Sequence, residues 1–197
     1  MRLLAIDTAT EACSAALRIG DEVIERSEIA PRRHAGLILP MIESLLGEAG
    51  ISRRQIDAIA VGRGPGAFTG VRLAISVAQG LALGLDIPVM PVSSLAALAQ
   101  DAPAEIDAPI LAVIDARMGE VYAGVFRRSG DLLEAIGEET VGPADALRVP
   151  PGDAWSVIGS GWSSYGDAIE RVLHAPPRWA DGDRYPQASD IARLAAP

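Results

Sequence analysis

Lysine is missing altogether: all 17 Lys-plus-Arg residues of this 197-residue chain are arginine. No P-loop lysine and no Schiff-base lysine can therefore exist, which excludes Walker-type phosphate binding and imine chemistry. Cysteine occurs once, at Cys13, so no internal disulfide can form; a reducing compartment fits, and a cytoplasmic location is expected. Histidine occurs twice, at His34 and His174, far apart in sequence, and with a single cysteine beside them no zinc-ligand spacing is found. Positive charge is also scarce. A net charge of −9 argues against binding nucleic acid unaided, and the arginine pairs Arg32-Arg33, Arg53-Arg54 and Arg127-Arg128 read as solvated edges. The charge-free stretch 73–85 is too short to span a bilayer, and Asp7 interrupts the first apolar run, unlike a signal peptide. With 49% apolar residues, the chain can build a core as one domain or two small lobes.

The densest local signal is V-G-R-G-P-G-A-F-T-G-V-R at residues 61–72, after an apolar strand pattern at 56–61 and before a helix from about Thr69. A strand, a glycine-rich turn and a helix N-terminus put free N–H groups and a positive dipole end at one spot, which suits an anion. The dinucleotide pattern G-x-G-x-x-G is matched by Gly64, Gly66 and Gly70 with one residue too many, and no ribose-binding acid follows at the right distance. A tight turn with close backbone packing is the better reading.

Periodicity places strands at 2–7, 12–19, 22–29, 56–61 and 88–92, and helices at 34–48, 69–83 and 93–100. Gly20-Asp21 reads as a hairpin turn, Pro40 as a kink in the first helix, Ser93 as the cap of the third, and Gly50 and Gly84 as stops. The order then restarts. Strands are expected at 110–115, 120–127 and 132–141, the last two joined by a turn at Ser129-Gly130; a short helix follows at 143–147, a strand at 155–158, and helices at 163–172 and 188–195. Both halves open alike, L-A-I-D-T-A-T-E-A-C-S-A-A against A-V-I-D-A-R-M-G-E-V-Y-A-G, and the Pro- and acid-rich 102–109 reads as a linker. The expected fold is α/β, of the actin/Hsp70/sugar-kinase (ASKHA) type. It has two β-β-β-α-β-α lobes with mixed sheets, at 1–101 and 110–197, and the last helix packs back on the first lobe. That architecture carries D-x-G-[ST] after its first strand; here Asp7-Thr8-Ala9-Thr10 has a Cβ where backbone must approach phosphate.

The series I-D-T-A-T-E-A-C-S-A-A-L, R-R-H-A-G-L-I-L-P-M-I, V-G-R-G-P-G-A-F-T-G-V-R-L-A, P-V-S-S-L-A-A-L-A and D-A-R-M-G-E-V-Y-A-G-V-F resembles the TsaB (YeaZ) family over Ile6 to Phe126. The resemblance thins past about Val141, and the family's P-x-Y-L-R-like tail segment, expected after the last helix, is not found. It implies a non-catalytic scaffold in the formation of threonylcarbamoyladenosine beside the tRNA anticodon. The implied partners are a TsaD-like transferase that carries the metal and a small TsaE-like ATPase, with tRNA met only through the complex. No cofactor is then expected on the chain itself, with ATP and metal on the partners. No membrane role is expected, and a second copy is the substitute partner in isolation.

The alternative is a nucleotide-binding or peptidase-like enzyme of the same fold, as the older glycoprotease naming suggests. Its nucleophile elbow is missing: G-W-S-S-Y-G at 161–166 has one residue extra, and Ser164 with His174 makes only a notional pair. Asp7, Thr8, Thr10, Gly64, Gly66, Thr69, Asp115, Arg117 and Glu120 are candidates for a degenerate phosphate loop or cleft, with turn-stabilising roles as the alternative. The row Gly70, Ala74, Ala78, Ala82, with Ser76 and Gly80 on a neighbouring row leading to Gly84, lets another helix approach closely. The first helix is apolar nearly all round. Candidate interface residues are therefore His34, Leu37, Ile38, Met41, Ile42, Leu45, Gly70, Leu73, Ala74, Val77, Ala78 and Leu81.

Overall fold

The computed structural model describes residues 1–105, 107–130, 132–152 and 154–195. Two compact units divide the chain: Met1–Ala97 with the segment from Pro186 onward, and Leu98–Tyr185.

The first unit holds β1 (Arg2–Asp7), β2 (Ala12–Ile19), β3 (Glu22–Ile29), β4 (Ala58–Gly62) and β5 (Val89–Val92) in the order β3-β2-β1-β4-β5. β1, β2 and β3 pair antiparallel, and β1, β4 and β5 pair parallel. The parallel pairs need crossovers, which α1 (His34–Glu48) and α2 (Phe68–Leu85) supply. Successive side chains leave opposite faces of the sheet. Leu4, Ile6, Cys13, Ala15, Leu17, Ile59 and Val61 therefore join the core under α1 and α2. Leu3, Ala5, Ala16, Ala58 and Ala60 form the other face, under α5 (Ala188–Leu194). That second face is mostly alanine, which lets α5 lie close. The α5 N-terminus has no cap of its own; the Ala188 N–H donates to the Ser14 hydroxyl at 3.0 Å and the Ser189 N–H to Glu25 Oε1 at 2.8 Å.

Ser93 caps α3 (Ser94–Gln100), accepting the N–H groups of Leu95 and Ala96. α1 continues through Pro40 as one helix. α2 outlasts its expected stop at Gly84 and ends at Asp86, which takes the left-handed conformation at φ 56°.

The second unit holds β6 (Ile110–Arg117), β7 (Glu120–Ser129), β8 (Leu132–Ala135), β9 (Thr140–Pro143), β10 (Ser156–Ile158) and β11 (Trp179–Asp181), in the order β11-β10-β6-β7-β8 with β9 also on β7. α4 (Ser160–Leu173) covers one face through Ile169 and Leu173, against Leu111, Val113, Val121 and Val157. Both sheets are mixed, and each unit opens β-β-β, so the fold is the α/β type of actin, Hsp70 and the sugar kinases.

Several expected elements are redrawn. The single strand at 132–141 is two, β8 and β9, separated where Gly137 has φ 85°. The helix at 143–147 is only a 3-10 turn, Ala144–Ala146, so among the described residues the second half has no counterpart of α1. Ser129 lies inside β7 paired with Leu132, and Asp131 of that turn lies outside the described residues. The expected boundary at 102–109 falls at Leu98 instead. Arg128 explains this: its guanidinium donates to the carbonyls of Gln100 at 2.8 Å and Ala102 at 3.1 Å, holding that stretch to the second unit.

Candidate functional site

At the end of β1 the chain turns through Asp7-Thr8-Ala9-Thr10, all four residues buried. The Asp7 carboxylate accepts the Ala9 N–H at 2.7 Å and the Ser94 hydroxyl at 2.9 Å. Burial raises its pKa from 3.8 to about 6, against the lowering effect of those two hydrogen bonds. The Thr8 hydroxyl donates to the Gly70 carbonyl at 2.6 Å, and the Ala67 N–H donates to the Ala9 carbonyl at 2.7 Å.

Three glycines of the loop pack directly against this turn. A Cβ on Gly66 would lie 2.2 Å from the Ala9 oxygen, one on Gly70 would lie 2.0 Å from the Thr8 oxygen, and one on Gly62 would lie 1.8 Å from Asp7 Oδ2. Gly64 has φ 87°, a conformation open to glycine. Where a phosphate loop leaves a cradle, this loop is filled by the backbone of the β1 turn. Thr10 keeps a buried hydroxyl without a hydrogen-bond partner, and Thr69 is exposed on the first turn of α2. Ser94 and Gly62 complete the cluster and were not foreseen, because only the fold brings residues 62 and 94 to residue 7.

In the second unit Asp115 gathers a separate group. Its carboxylate accepts the Arg117 N–H at 2.7 Å, the Arg117 guanidinium at 3.1 Å, the Tyr165 hydroxyl at 3.1 Å and the Ser164 hydroxyl at 3.3 Å. Glu120 is exposed at the start of β7, opposite Pro143. Ser164 is thus engaged with Asp115 and not with His174, which stands beyond the other end of α4, about 15 Å away at 1.5 Å per residue. Cys13 is buried with its sulfur 3.9 Å from the Met41 sulfur; desolvation, then the Asp7 carboxylate, push its pKa up to about 11, so the thiol is inert.

On the two helices the structure corrects the expected interface. Gly70, Ala74, Ala78 and Ala82 face inward onto the sheet, and Ile38, Ile42 and Leu45 are core residues of the same unit. None of these can reach a partner. Small side chains seat α2 closely on β4 and β1, and Gly70 must meet the Thr8 carbonyl, which decides which small row turns in. His34, Leu37, Met41, Leu73, Val77 and Leu81 are half-buried at the margins. The outward face is instead Leu39 on α1, with Phe68, Arg72, Ser76, Gly80 and Leu83 on α2. Leu83 is 87% exposed and Phe68 68%, with the Arg72 guanidinium 3.8 Å above the Phe68 ring. α2 has 18 residues and a mean hydropathy of 1.4, enough by length and composition to cross a membrane. Its inner row is packed against a β-sheet, however, so it is a surface helix of this unit, with Phe68 and Leu83 exposed among polar and small residues on its outer side.

Comparison with known proteins agrees with this fold. A family model described as "TsaD: tRNA N6-adenosine threonylcarbamoyltransferase" matches residues 21–170. The "tRNA threonylcarbamoyladenosine biosynthesis protein TsaB" of Haemophilus influenzae is 43% identical over 183 residues, covering 88% of this chain and 78% of the relative. Its Escherichia coli namesake is 44% identical over 174 residues, covering 85% and 74%. The solved structure "YeaZ from Pseudomonas aeruginosa" superposes with a TM-score of 0.91 at 45% identity, covering 98% of this chain and 90% of that one.

Proposed function

The chain belongs to the TsaB family, and from that membership we propose that it is a non-catalytic scaffold subunit in the formation of N6-threonylcarbamoyladenosine in tRNA. In this reading it binds a TsaD-like transferase and supports its activity. The observation that carries the proposal is the outer face of α2: a helix already seated on its own sheet presents Phe68, Ser76, Gly80 and Leu83 to solvent. Exposed apolar side chains beside small ones suit a second helix packing against this side.

The closed β1 turn supports the non-catalytic half of the reading. Its backbone fills the space between Gly66 and Gly70, and its carboxylate is committed to Ser94 and Ala9. ATP and metal then belong to the partners, a TsaD-like protein and a TsaE-like ATPase, and tRNA is met through the assembly. Alone, a second copy would cover the same face, as an isologous pair about a two-fold axis. The test is co-purification with the TsaD-like protein of the same cell, with Gly80→Arg as the control: the wild-type chain is expected to co-purify and the variant to be lost.

A further inference from the structure

In the first unit α1 lies over β2, where its Ile38, Ile42 and Leu45 join Ala15 and Leu17 in one core. β7 holds the corresponding place as the second strand of the second unit, and among the described residues no counterpart of α1 crosses it. A hollow of about 450 Å³ opens there instead. Its floor is Leu111, Ala123 and Val125, on the face of the sheet that also carries α4. β8 and β9 both pair with the outer edge of β7, and the chain between them swings out at Gly137, φ 85°, to make one wall. The Ile136 N–H donates to the Val125 carbonyl at 2.7 Å and pins that wall to the floor. Residues 147–150 form a second wall.

Ile136, Leu147 and Val149 are only half-buried on these walls, so apolar side chains face the hollow from its sides as well as from its floor. Two charges of opposite sign also line it, Glu138 on the first wall and Arg148 on the second. Both are exposed, and among the described residues neither has an ion-pair or hydrogen-bond partner. Opposite charges that can meet on this surface do pair, as Arg53 does with Glu43 and Arg184 with Asp101. Glu138 and Arg148 share a hollow without pairing. One apolar space is therefore flanked by a free carboxylate acceptor and a free guanidinium donor.

We propose that the hollow binds a small zwitterion with a large apolar side chain, an α-amino acid of the leucine or phenylalanine kind. Its carboxylate lies on the Arg148 guanidinium, its ammonium on the Glu138 carboxylate, and its side chain over Val125 between Ile136 and Leu147. The volume falls in the range of small-molecule sites, which are mostly apolar with a few convergent polar groups. A nucleotide or other polyphosphate is disfavoured, because a single arginine cannot neutralise it and Glu138 repels it. A wholly apolar ligand would leave both charges unused. The hollow belongs to the second unit, and α1 and α2 to the first, so the proposal stands independently of the pairing through α2.

The experiment is titration calorimetry on the full-length chain with L-leucine and L-phenylalanine. Three derivatives of each serve as controls: the N-acetyl form lacks the ammonium, the amino alcohol lacks the carboxylate, and the N-acetyl amide lacks both. The better of the two amino acids should bind with a Kd below about 1 mM, and each of its derivatives should bind about tenfold more weakly or worse. Arg148→Gln should weaken the amino acid about tenfold and leave the amino alcohol unchanged, whereas Glu138→Gln should weaken the amino acid about tenfold and leave the N-acetyl form unchanged. Both side chains are exposed, so both variants should keep the wild-type melting temperature. No binding of either amino acid in the millimolar range overturns the proposal. Equal binding of the N-acetyl amide also overturns it and marks the hollow as the seat of a peptide segment. Losses in the variants that ignore which charge the ligand lacks overturn it as well.

Discussion

The hydroxyl of Ser94 donates to the carboxylate of Asp7 across 2.9 Å, joining the head of α3 to the end of β1 in the most enclosed part of the first unit. Burial of this carboxylate, which outweighs the contact, makes stability depend on pH in a direction opposite to most carboxylates. Burial raises the folded pKa of Asp7 from 3.8 to about 6, so the folded state holds the proton more tightly than the unfolded state. The neutral acid is favoured below about pH 4, and stability is lost as pH rises from there through about 6, by on the order of 3 kcal/mol. Asp7→Asn keeps the shape without the charge. Its melting temperature should exceed that of wild type at pH 7.5, with the gap shrinking toward pH 5; an equal gap at both pH values would refute the buried-charge account.

Glycines of the loop and of mid-α2 should respond in opposite ways. Gly66→Ala and Gly70→Ala each drive a Cβ into a carbonyl of the β1 turn, at 2.2 and 2.0 Å, where backbone lies on both sides and cannot yield. Each should cost several kcal/mol, about 3 or more, or prevent folding. Gly80→Ala meets open solvent in mid-helix and should stabilise by about 0.8–1 kcal/mol. Denaturant unfolding of the three variants measures this directly, and a harmless Gly70→Ala would mean that the turn is loosely packed.

Much of this was readable from residue order. The near-continuous apolar runs in L-L-A-I-D and A-C-S-A-A-L point to strands buried on both faces, and the Gly20-Asp21 hairpin and the Ser93 cap stand as expected. The direction of α2 was not readable. Rows 70-74-78-82 and 76-80-84 both carry small residues, and only the tertiary contact of Gly70 with Thr8 selects the inner one. Phe68 and Leu83 escaped notice because an apolar residue on an apolar helix carries no mark of its exposure. Tyr165 was missed for another reason: its role depends on a break inside α4 that sequence periodicity does not show.

Calorimetry with ATP and magnesium should give no sub-millimolar binding to the isolated chain. The warrant is the β1 turn, whose Thr8 and Ala9 backbone packs directly against Gly70, Gly66 and Ala67 of the glycine-rich loop. Nucleotide retained through purification with its phosphates on Asp7, Thr8, Ala9 and Thr10 would restore the enzyme reading.

For tRNA, the isolated chain should give no gel shift at physiological salt. Arg33 pairs with Glu28, Arg53 with Glu43 and Arg26 with Glu48, so these cations are already matched on a surface of net negative charge. Tight binding that weakens steeply with added salt would reveal a basic patch that these pairs do not suggest.

The central claim is that this chain acts through the outer face of α2 and performs no chemistry itself. Its most direct test is reconstituted threonylcarbamoyl transfer to tRNA by the TsaD-like protein and the TsaE-like ATPase, with wild-type chain, with Gly80→Arg, and with none. Gly80 has open space around it, so the variant should fold; transfer should require the wild-type chain and fall about a hundredfold with the variant, as for a central interface residue. Full transfer with Gly80→Arg, or without the chain at all, would contradict the account.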